Sequence, residues 1–457
     1  LAIYRIGCGA GFSGDRIDAA IPVVRDLVEA GQGGALIFET LGERTLAAGH
    51  VARREDPTLG CDPLLHRFLR PVLKDCLDNS IVIVGNFGAA NPRAAAELIQ
   101  RMAAEIGVCA IRIAIVEGDD LGPSVDLGSL HLWEGDRAAS IDGREIVSAN
   151  VYIGAQAIAE AISEGAQVVV TGRVADPALV LGPLVAHFCW DWSDLDRIAA
   201  GTLAGHLLEC GSQVSGGYFA DPGYKDVPRP EAIGYPIAEV EQDGTFIVTK
   251  PRGTGGVVDL RTVKEQLLYE IHDPAAYRTP DVVLDLTDVA LDIVGQDRVR
   301  VSGARGHPRP EMLKATIGVS GDWLGEAEIS YAGPNALARG RLAADIVARR
   351  LDLRGIRLHR RLDLIGAASV FADDAGRWRG DAHAEEPQDV RLRLAVRGLD
   401  RSLVEDALQE VLALYCAGPA GGGGVRSRIE KRINTVSYMV PRNAVCTGYR
   451  MLEGATG

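Results

Sequence analysis

The stretch QVVVTGRVADPALVLGPL, residues 167–184, decides the architecture. Its three consecutive valines make a short β-branched run suited to a strand buried on both faces. Pro177 then opens an Ala/Leu/Val segment that predicts a helix over 177–188, because proline fits the first helical turn. A strand feeding directly into a helix is half of a βαβ crossover, the building unit of a parallel sheet. Between the two stand Arg173 and Asp176, polar residues just past the carboxyl end of an apolar strand. In open α/β sheets that rim is where ligands bind.

The same alternation fills the first 190 residues. IYRIGC (3–8) leads to a helix over 17–30, and GALIFE (34–39) to helical sequence through His50. A helix over 62–78 precedes IVIVGN (81–86), which feeds a helix over 91–106. CAIRIAIV (109–116) and VSANVYIG (147–154) read as further strands, the second with a helix ending near Gly165. The expected class is therefore α/β, a mainly parallel sheet flanked by helices. From 212 the pattern changes to EAIGYPIAEV (231–240), TFIVTK (245–250) and DRVRVSG (297–303), joined by Gly and Pro turns, with a short helix near 262–270. This predicts a β-rich middle region closed by a helix over 334–350. Strands within 353–366, 390–399 and 434–440, with a helix over 400–415, predict a small C-terminal α/β unit. The expected domains are 1–211, 212–352 and 353–457.

Hydrophobic residues make up 47% and charged residues 24% of the 457 residues, the balance of an ordinary globular chain. The net charge of −14 argues against nucleic-acid partners, which need a dense basic surface. With no apolar run long enough to span a bilayer and no basic-plus-apolar leader, the expectation is a cytoplasmic protein without a membrane partner. The eight cysteines show no CxxC spacing, so no zinc site is expected and most read as small buried side chains.

Four loops follow the predicted strands. GCGAGFSGDR (7–16) carries Gly9, Gly11 and Gly14 at G-x-G-x-x-G spacing, then Asp15 and Arg16. Such a loop can aim backbone N–H groups at an oxyanion or phosphate. It resembles a dinucleotide fingerprint only loosely, since Asp15 and Arg16 crowd a pyrophosphate and the acidic Glu39 comes late. ETLGERT (39–45) places Glu39 and Glu43 four apart, either an acid/base pair or Glu39 paired with Arg16 or Arg44 while Glu43 caps. In NFGAANP (86–92), Asn91 before Pro92 reads as a helix cap, whereas Asn86 can orient a carbonyl or carboxylate. In TGRVADP (171–177), Asp176 also reads as a cap, while Arg173, supported by Thr171, offers a bidentate donor to a carboxylate or phosphate.

Two further stretches are dense in chemistry. HLLECGSQVSGGYFADPGYKD (206–226) offers Glu209 as a base or ion-pair partner. Cys210 stands four residues after His206, but no G-x-S-x-G elbow frames a nucleophile. KPRGTGG (250–256) brings Lys250 and Arg252 to a glycine turn without the order of a phosphate loop. GPAGGGGVRSR (418–428) reads as a hinge or subunit contact, and RLHRRLD (357–363) as a solvated strand face.

Together RIGCGAGFSGDR, FETLGERT, NFGAANP, TGRVADPAL, LLECGSQVSGGYFADPGYKD, KPRGTGG and VKEQLLYEIHDPAAYRTPDV resemble, in order, the blocks of the acyclic terpene utilisation protein A family. The resemblance covers nearly the whole chain. It implies a cytoplasmic role in breaking down branched acids, as CoA thioesters, beside acyl-CoA carboxylases, dehydrogenases and hydratases. It also implies that a small partner protein supplies a further C-terminal domain that longer relatives carry. It assigns no catalytic residues.

Taken with that resemblance, the residues point to a hydratase- or lyase-type enzyme of branched-chain or terpenoid acid breakdown on a carboxylate or, as the resemblance implies, an acyl-CoA substrate. Arg173, Asp176, Arg16, Thr171, Asn91, Lys250, Arg252 and the glycines Gly9, Gly11 and Gly14 would bind it. Glu39, Glu43, Glu209, Asn86 and Asp15 would act in catalysis. No cofactor is predicted, with Mg²⁺ or a CoA-linked substrate compatible, and a homo-oligomer is expected. The rival readings are a non-catalytic subunit of an acyl-CoA-processing complex and an NAD-dependent oxidoreductase.

Overall fold

The structure is a computed structural model that describes residues 3–108, 110–122, 131–133, 143–369 and 387–452. The chain divides into two compact units, one of residues 1–142, 146–318 and 435–457, the other of residues 143–145 and 319–434.

The first unit is built on a ten-stranded sheet. From one edge its strands are Ala290–Gly295, Arg298–Ser302, Phe246–Thr249, Ile237–Val240, Tyr4–Ala10, Gly34–Phe38, Ile81–Gly85, Val168–Val170, Ile113–Glu117 and Gly448–Met451. The central five, Tyr4–Ala10 through Ile113–Glu117, are parallel. Leu36, Ile37, Ile83, Val84 and Val168–Val170 are all fully buried, as strands covered on both faces must be. The flanking strands on both edges are antiparallel. The protein is thus mixed α/β, and the expected parallel sheet is its core rather than its whole.

The reason lies in the middle of the chain. The 231–303 strands hydrogen-bond onto the open edge of Tyr4–Ala10, from Ile237–Val240 outward, and so extend the first sheet instead of forming a region of their own. Gly448–Met451 likewise pairs with Ile113–Glu117 and belongs to the first unit. The expected boundaries at 211 and 352 therefore do not coincide with the two compact units.

In the second unit, His359–Ile365 and Asp389–Gly398 pair antiparallel, and Asp389–Gly398 pairs with the 323–332 part of Met312–Ala332. Helices Ala336–Leu353 and Arg401–Leu412 close over Ile329, Tyr331, Leu364, Leu392, Leu394 and Val396. This is an antiparallel sheet with helices on a shared core, not the α/β unit expected for 353–457. Arg361 pairs with Asp363 of the same strand at 2.8 Å and Arg360 with Asp352 of the helix Ala336–Leu353 at 2.8 Å, so both strand arginines of RLHRRLD are ion-paired. The glycine run at 421–424 leads straight into the strand Gly423–Pro441 and is not a free hinge.

Most helices form where the sequence places them, but the expected 400–415 helix divides into Arg401–Leu412 and Leu414–Ala417, Leu195–Glu209 lies outside the expected helices, and a further segment breaks. The segment 62–78 splits into Leu65–Leu69 and Leu73–Asp78, because Pro71 has no N–H to continue the ladder. The helix after the 171–177 loop is nearly all apolar: nine of the eleven residues of Ala178–Phe188 are buried. Against its start packs Leu195–Glu209, whose Gly205 would bring a Cβ to 2.5 Å from the Pro177 carbonyl oxygen. Gly205→Ala should therefore destabilise by ~1–3 kcal/mol through overpacking, although alanine is the better helix former. A urea midpoint at or above that of the wild type would refute the close approach.

Candidate functional site

Because the five central strands run parallel, their carboxyl ends share one rim, and strand register decides which polar residues meet there. Phe38 is paired with Gly85, so the next residues, Glu39 and Asn86, stand side by side. Asn86 is fully buried; its Oδ1 accepts from the Thr40 N–H at 2.8 Å and its Nδ2 donates to Glu39 Oε1 at 2.9 Å. The same Oε1 accepts from the Leu41 N–H at 2.9 Å. Burial, and then the nearby Asp176, push the Glu39 carboxyl up to about 8, against the opposing pull of Arg173 and Asn86. With Oε1 anchored twice, a proton on Glu39 resides on Oε2.

Arg173 is 1% exposed, among the largest fully buried side chains of the described residues. Its guanidinium donates to the Leu41 and Val174 carbonyls and pairs with Asp176, and it lies 4.5 Å from the centre of the Tyr152 ring. The pairing answers why both residues follow an apolar strand. Asp176 is not the helix cap: Pro177 takes that place with no side-chain bond, and Asp176 turns back on Arg173. Burial still raises the Asp176 carboxyl, with Arg173 pulling the other way. Thr171 donates to the Gly172 carbonyl at 3.0 Å and is fully buried.

Glu43 does not pair with Glu39 but reaches Tyr152 and Lys314. The Tyr152 hydroxyl donates to Glu43 Oε1 at 2.6 Å, and Lys314 Nζ stands 3.5 Å from the same oxygen and 4.8 Å from the Tyr152 ring centre. Burial works against the charged form, but the Tyr152 bond and Lys314 outweigh it, so Glu43 titrates below its ordinary value. Beneath Arg173, the buried Asp119 accepts from the Arg173 N–H at 2.8 Å and from Asn150 Nδ2 at 2.9 Å, while Asn150 Oδ1 faces His50 Nε2 at 2.9 Å. Burial raises Asp119 to about 6.

The helix Leu195–Glu209 delivers a second carboxyl to the same cluster. His206 Nδ1 is 2.9 Å from Glu209 Oε1. Burial raises Glu209 to about 7 against the pull of His206, with Asp176 and Glu270 adding to the rise. Asp176 thus influences both Glu39 and Glu209. His206 serves Glu209 and not Cys210, whose thiol burial and Glu209 push well up. Gly11 permits this convergence: a Cβ there would lie 2.3 Å from the Gly211 nitrogen.

Other expected residues do structural work. Asp15 accepts from the Gly11 N–H at 2.7 Å and from the Tyr235 hydroxyl, so its carboxylate occupies the amide that a phosphate would use. Gly9 makes room for the Phe38 ring, 2.5 Å from where its Cβ would stand, and Gly14 for the Phe12 ring. Arg16 donates to the Pro230 and Glu231 carbonyls, both at 3.1 Å. Asn91 caps its helix through Ala94 and donates to Pro57 and Leu59. Lys250 pairs with Asp297 at 3.2 Å beside a cleft of about 430 Å³. The N–H groups of Thr254, Gly255, Gly256 and Val257 all donate to carbonyls, which leaves that turn no phosphate cradle, and Arg252 is exposed. A cavity of about 630 Å³ opens at the opposite rim, beside Tyr4, Gly34 and Ser80, but few ionisable groups line it. The buried ionisable groups with shifted titrations gather at the carboxyl rim.

Among the described residues no group of three or more His, Cys, Asp or Glu is placed to hold a metal ion, and no helix is long and apolar enough to cross a membrane. Sequence reading missed Tyr152, Lys314, Asp119, Asn150 and the His206–Glu209 bond. Asp119 and Tyr152 were findable, since Asp119 lies just past the predicted strand 109–116 and Tyr152 near the end of the predicted strand 147–154. Lys314 carried no local signal.

Fold and rim together define a mixed α/β protein with a buried acid–base cluster at the carboxyl ends of parallel strands. The family model "Acyclic terpene utilisation family protein AtuA" matches residues 4–451, and the chain belongs to that family. No curated protein and no solved structure matches the chain.

Two stability measurements check the cluster. Between its ordinary value of 4.5 and about 8, Glu39 holds its proton more tightly in the folded chain than in the unfolded one. Its contribution to stability should therefore fall by up to ~1.4 kcal/mol per pH unit across that window. Glu39→Gln should leave the urea midpoint nearly unchanged at pH 5 and raise it at pH 8.5; an equal shift at both values would contradict this titration. Arg173→Met leaves Asp176 without its counter-charge and should cost ~3–5 kcal/mol, much of it recovered on adding Asp176→Asn. Purely additive losses would argue against the pair.

Proposed function

We propose that the protein is an enzyme of branched-chain or terpenoid acid breakdown, acting on a carboxylate or acyl-CoA thioester by hydration, dehydration or a related lyase step. The observation that carries this is the pair of buried glutamates, Glu39 and Glu209, each tied down through Oε1 and each raised toward neutrality. Two carboxyl groups tuned to that range, held by different partners, are what general acid–base chemistry needs. Family membership supports the metabolic setting.

In a dehydration, Glu209 takes the proton from the carbon next to the thioester or carboxylate carbonyl. Glu39 gives its proton to the departing β-hydroxyl, which leaves as water while the double bond forms. Hydration is the reverse. Arg173 does not bind the substrate anion in this scheme, because its donors face Asp176 and two carbonyls. Its charge pulls Asp176 toward the ionised form against the effect of burial. Lys314, 39% exposed and beside Glu43, is the cation at this rim placed to meet a substrate carboxylate. The rival, a non-catalytic subunit, draws on the exposed aromatics Phe12, Tyr218 and Tyr224 of the rim-proximal loops.

The test is turnover of branched 3-hydroxyacyl-CoA and 2-enoyl-CoA thioesters and their free acids, followed by the absorbance of the conjugated product. Glu39→Gln and Glu209→Gln should each lower kcat by ~100-fold or more with the fold intact. Native mass spectrometry of the same mixtures reads ligand retention and subunit number. No turnover and no retained acid or thioester would reject the enzyme in favour of the subunit.

A further inference from the structure

His206 and Glu209 lie one turn apart on the helix Leu195–Glu209, so their side chains share a face. His206 Nδ1 is 2.9 Å from Glu209 Oε1, and Nε2 is 3.3 Å from the Leu267 carbonyl oxygen. A carbonyl can only accept, so Nε2 carries a hydrogen. That leaves one proton shared between Nδ1 and Oε1, and the pair is neutral overall, as imidazolium with carboxylate or imidazole with carboxylic acid. Gln266 Nε2 donates to the His206 backbone carbonyl at 3.1 Å, and the Tyr277 ring packs on the imidazole with centres 5.4 Å apart.

The outer oxygen is in a different state. Glu209 is 8% exposed, and its Oε2 is buried with no hydrogen-bond partner. A buried carboxyl oxygen in a native fold is nearly always satisfied, and one that is not marks a place where a partner arrives. We propose that His206 is a positioning residue that fixes Glu209 through Oε1 and leaves Oε2 as the atom at which the site exchanges a proton with its ligand. This rests on the reading of the rim as a proton-transfer site. When Oε2 takes a proton from carbon, the C–H electron pair stays with the substrate as an enolate, and the pair becomes a carboxylic acid beside an imidazolium.

The groups that act on Glu209 from other elements are Asp176 and Glu270, while Cys210 follows it on the chain and Tyr277 packs on the imidazole. The acids among them all favour keeping the shared proton. The imidazole is fully occupied, so it is not available to activate Cys210.

Nitrogen NMR of ¹⁵N-histidine protein tests the pair without any substrate. The His206 signals, identified by their loss in His206→Asn, should show both ring nitrogens protonated well above the pH at which a free histidine loses its proton. In Glu209→Gln the same ring should titrate at least about one pH unit lower, because its counter-charge is gone. A neutral ring that titrates alike in wild type and Glu209→Gln overturns the proposal.

In turnover, His206→Asn, whose amide can still donate to Oε1, should keep kcat within about tenfold of wild type while shifting a limb of the pH profile. His206→Leu should lower kcat ~100-fold with little change in KM. Wild-type kcat and pH profile in His206→Leu overturn the role. If the NMR result holds but no thioester or acid is turned over, the pair stands and the proposed reaction falls. If Glu39→Gln abolishes turnover and Glu209→Gln does not, the reaction stands and this role of the pair falls.

Discussion

A guanidinium cannot sit in a protein interior unless its charge and its donors are met there. Arg173 is such a group, and most of the rim is arranged around it. The Leu41 and Val174 carbonyls take two of its donors, Asp176 takes the charge, and Asp119 takes its backbone N–H. Asp119 in turn orders Asn150, and Asn150 orders His50. Tyr152, lying over the guanidinium, is thereby presented to Glu43. Residues from the loops after four different strands are fixed by one buried cation, so the rim behaves as a single electrostatic body and not as a set of independent loops.

That body also explains why its carboxyl groups differ. At Glu39 and Glu209 burial dominates, against the pull of Arg173 on the first and of His206 on the second, and both rise. Glu43 has a phenol and an ammonium at hand, and it falls. One environment thus holds glutamates in opposite protonation states near neutrality, the condition for moving a proton from one side of a ligand to the other.

Much of this was legible in the sequence because strand ends are legible. Valine runs and the Pro after Asn91 and Asp176 located the rim, and the parallel register brought Glu39 to Asn86 without further information. What could not be read was anything set by pairing across the chain. Lys314 reaches Tyr152 because the Tyr152 N–H bonds to the Lys314 carbonyl, a contact between distant segments. KPRGTGG misled because composition reports glycines and not where their N–H groups go, and here the carbonyls of Pro251, Ala232, Pro228 and Ser215 have taken them. Asp176 misled for the same reason: a residue before proline fits a cap until a buried cation outbids the helix for it. The middle strands misled by looking self-sufficient, when their partner was the open edge of the first strand.

The edge strand Gly448–Met451 has a kinetic meaning. It covers Ile113–Glu117 across roughly 330 residues of chain. Until that late segment arrives, Ile113–Glu117 presents an unpaired row of backbone groups at the border of an otherwise finished apolar core. During synthesis on a ribosome the core strands emerge long before their cover does. So distant a closing contact raises the entropic cost of completing the sheet and leaves that strand edge open to pairing with another chain until it is covered.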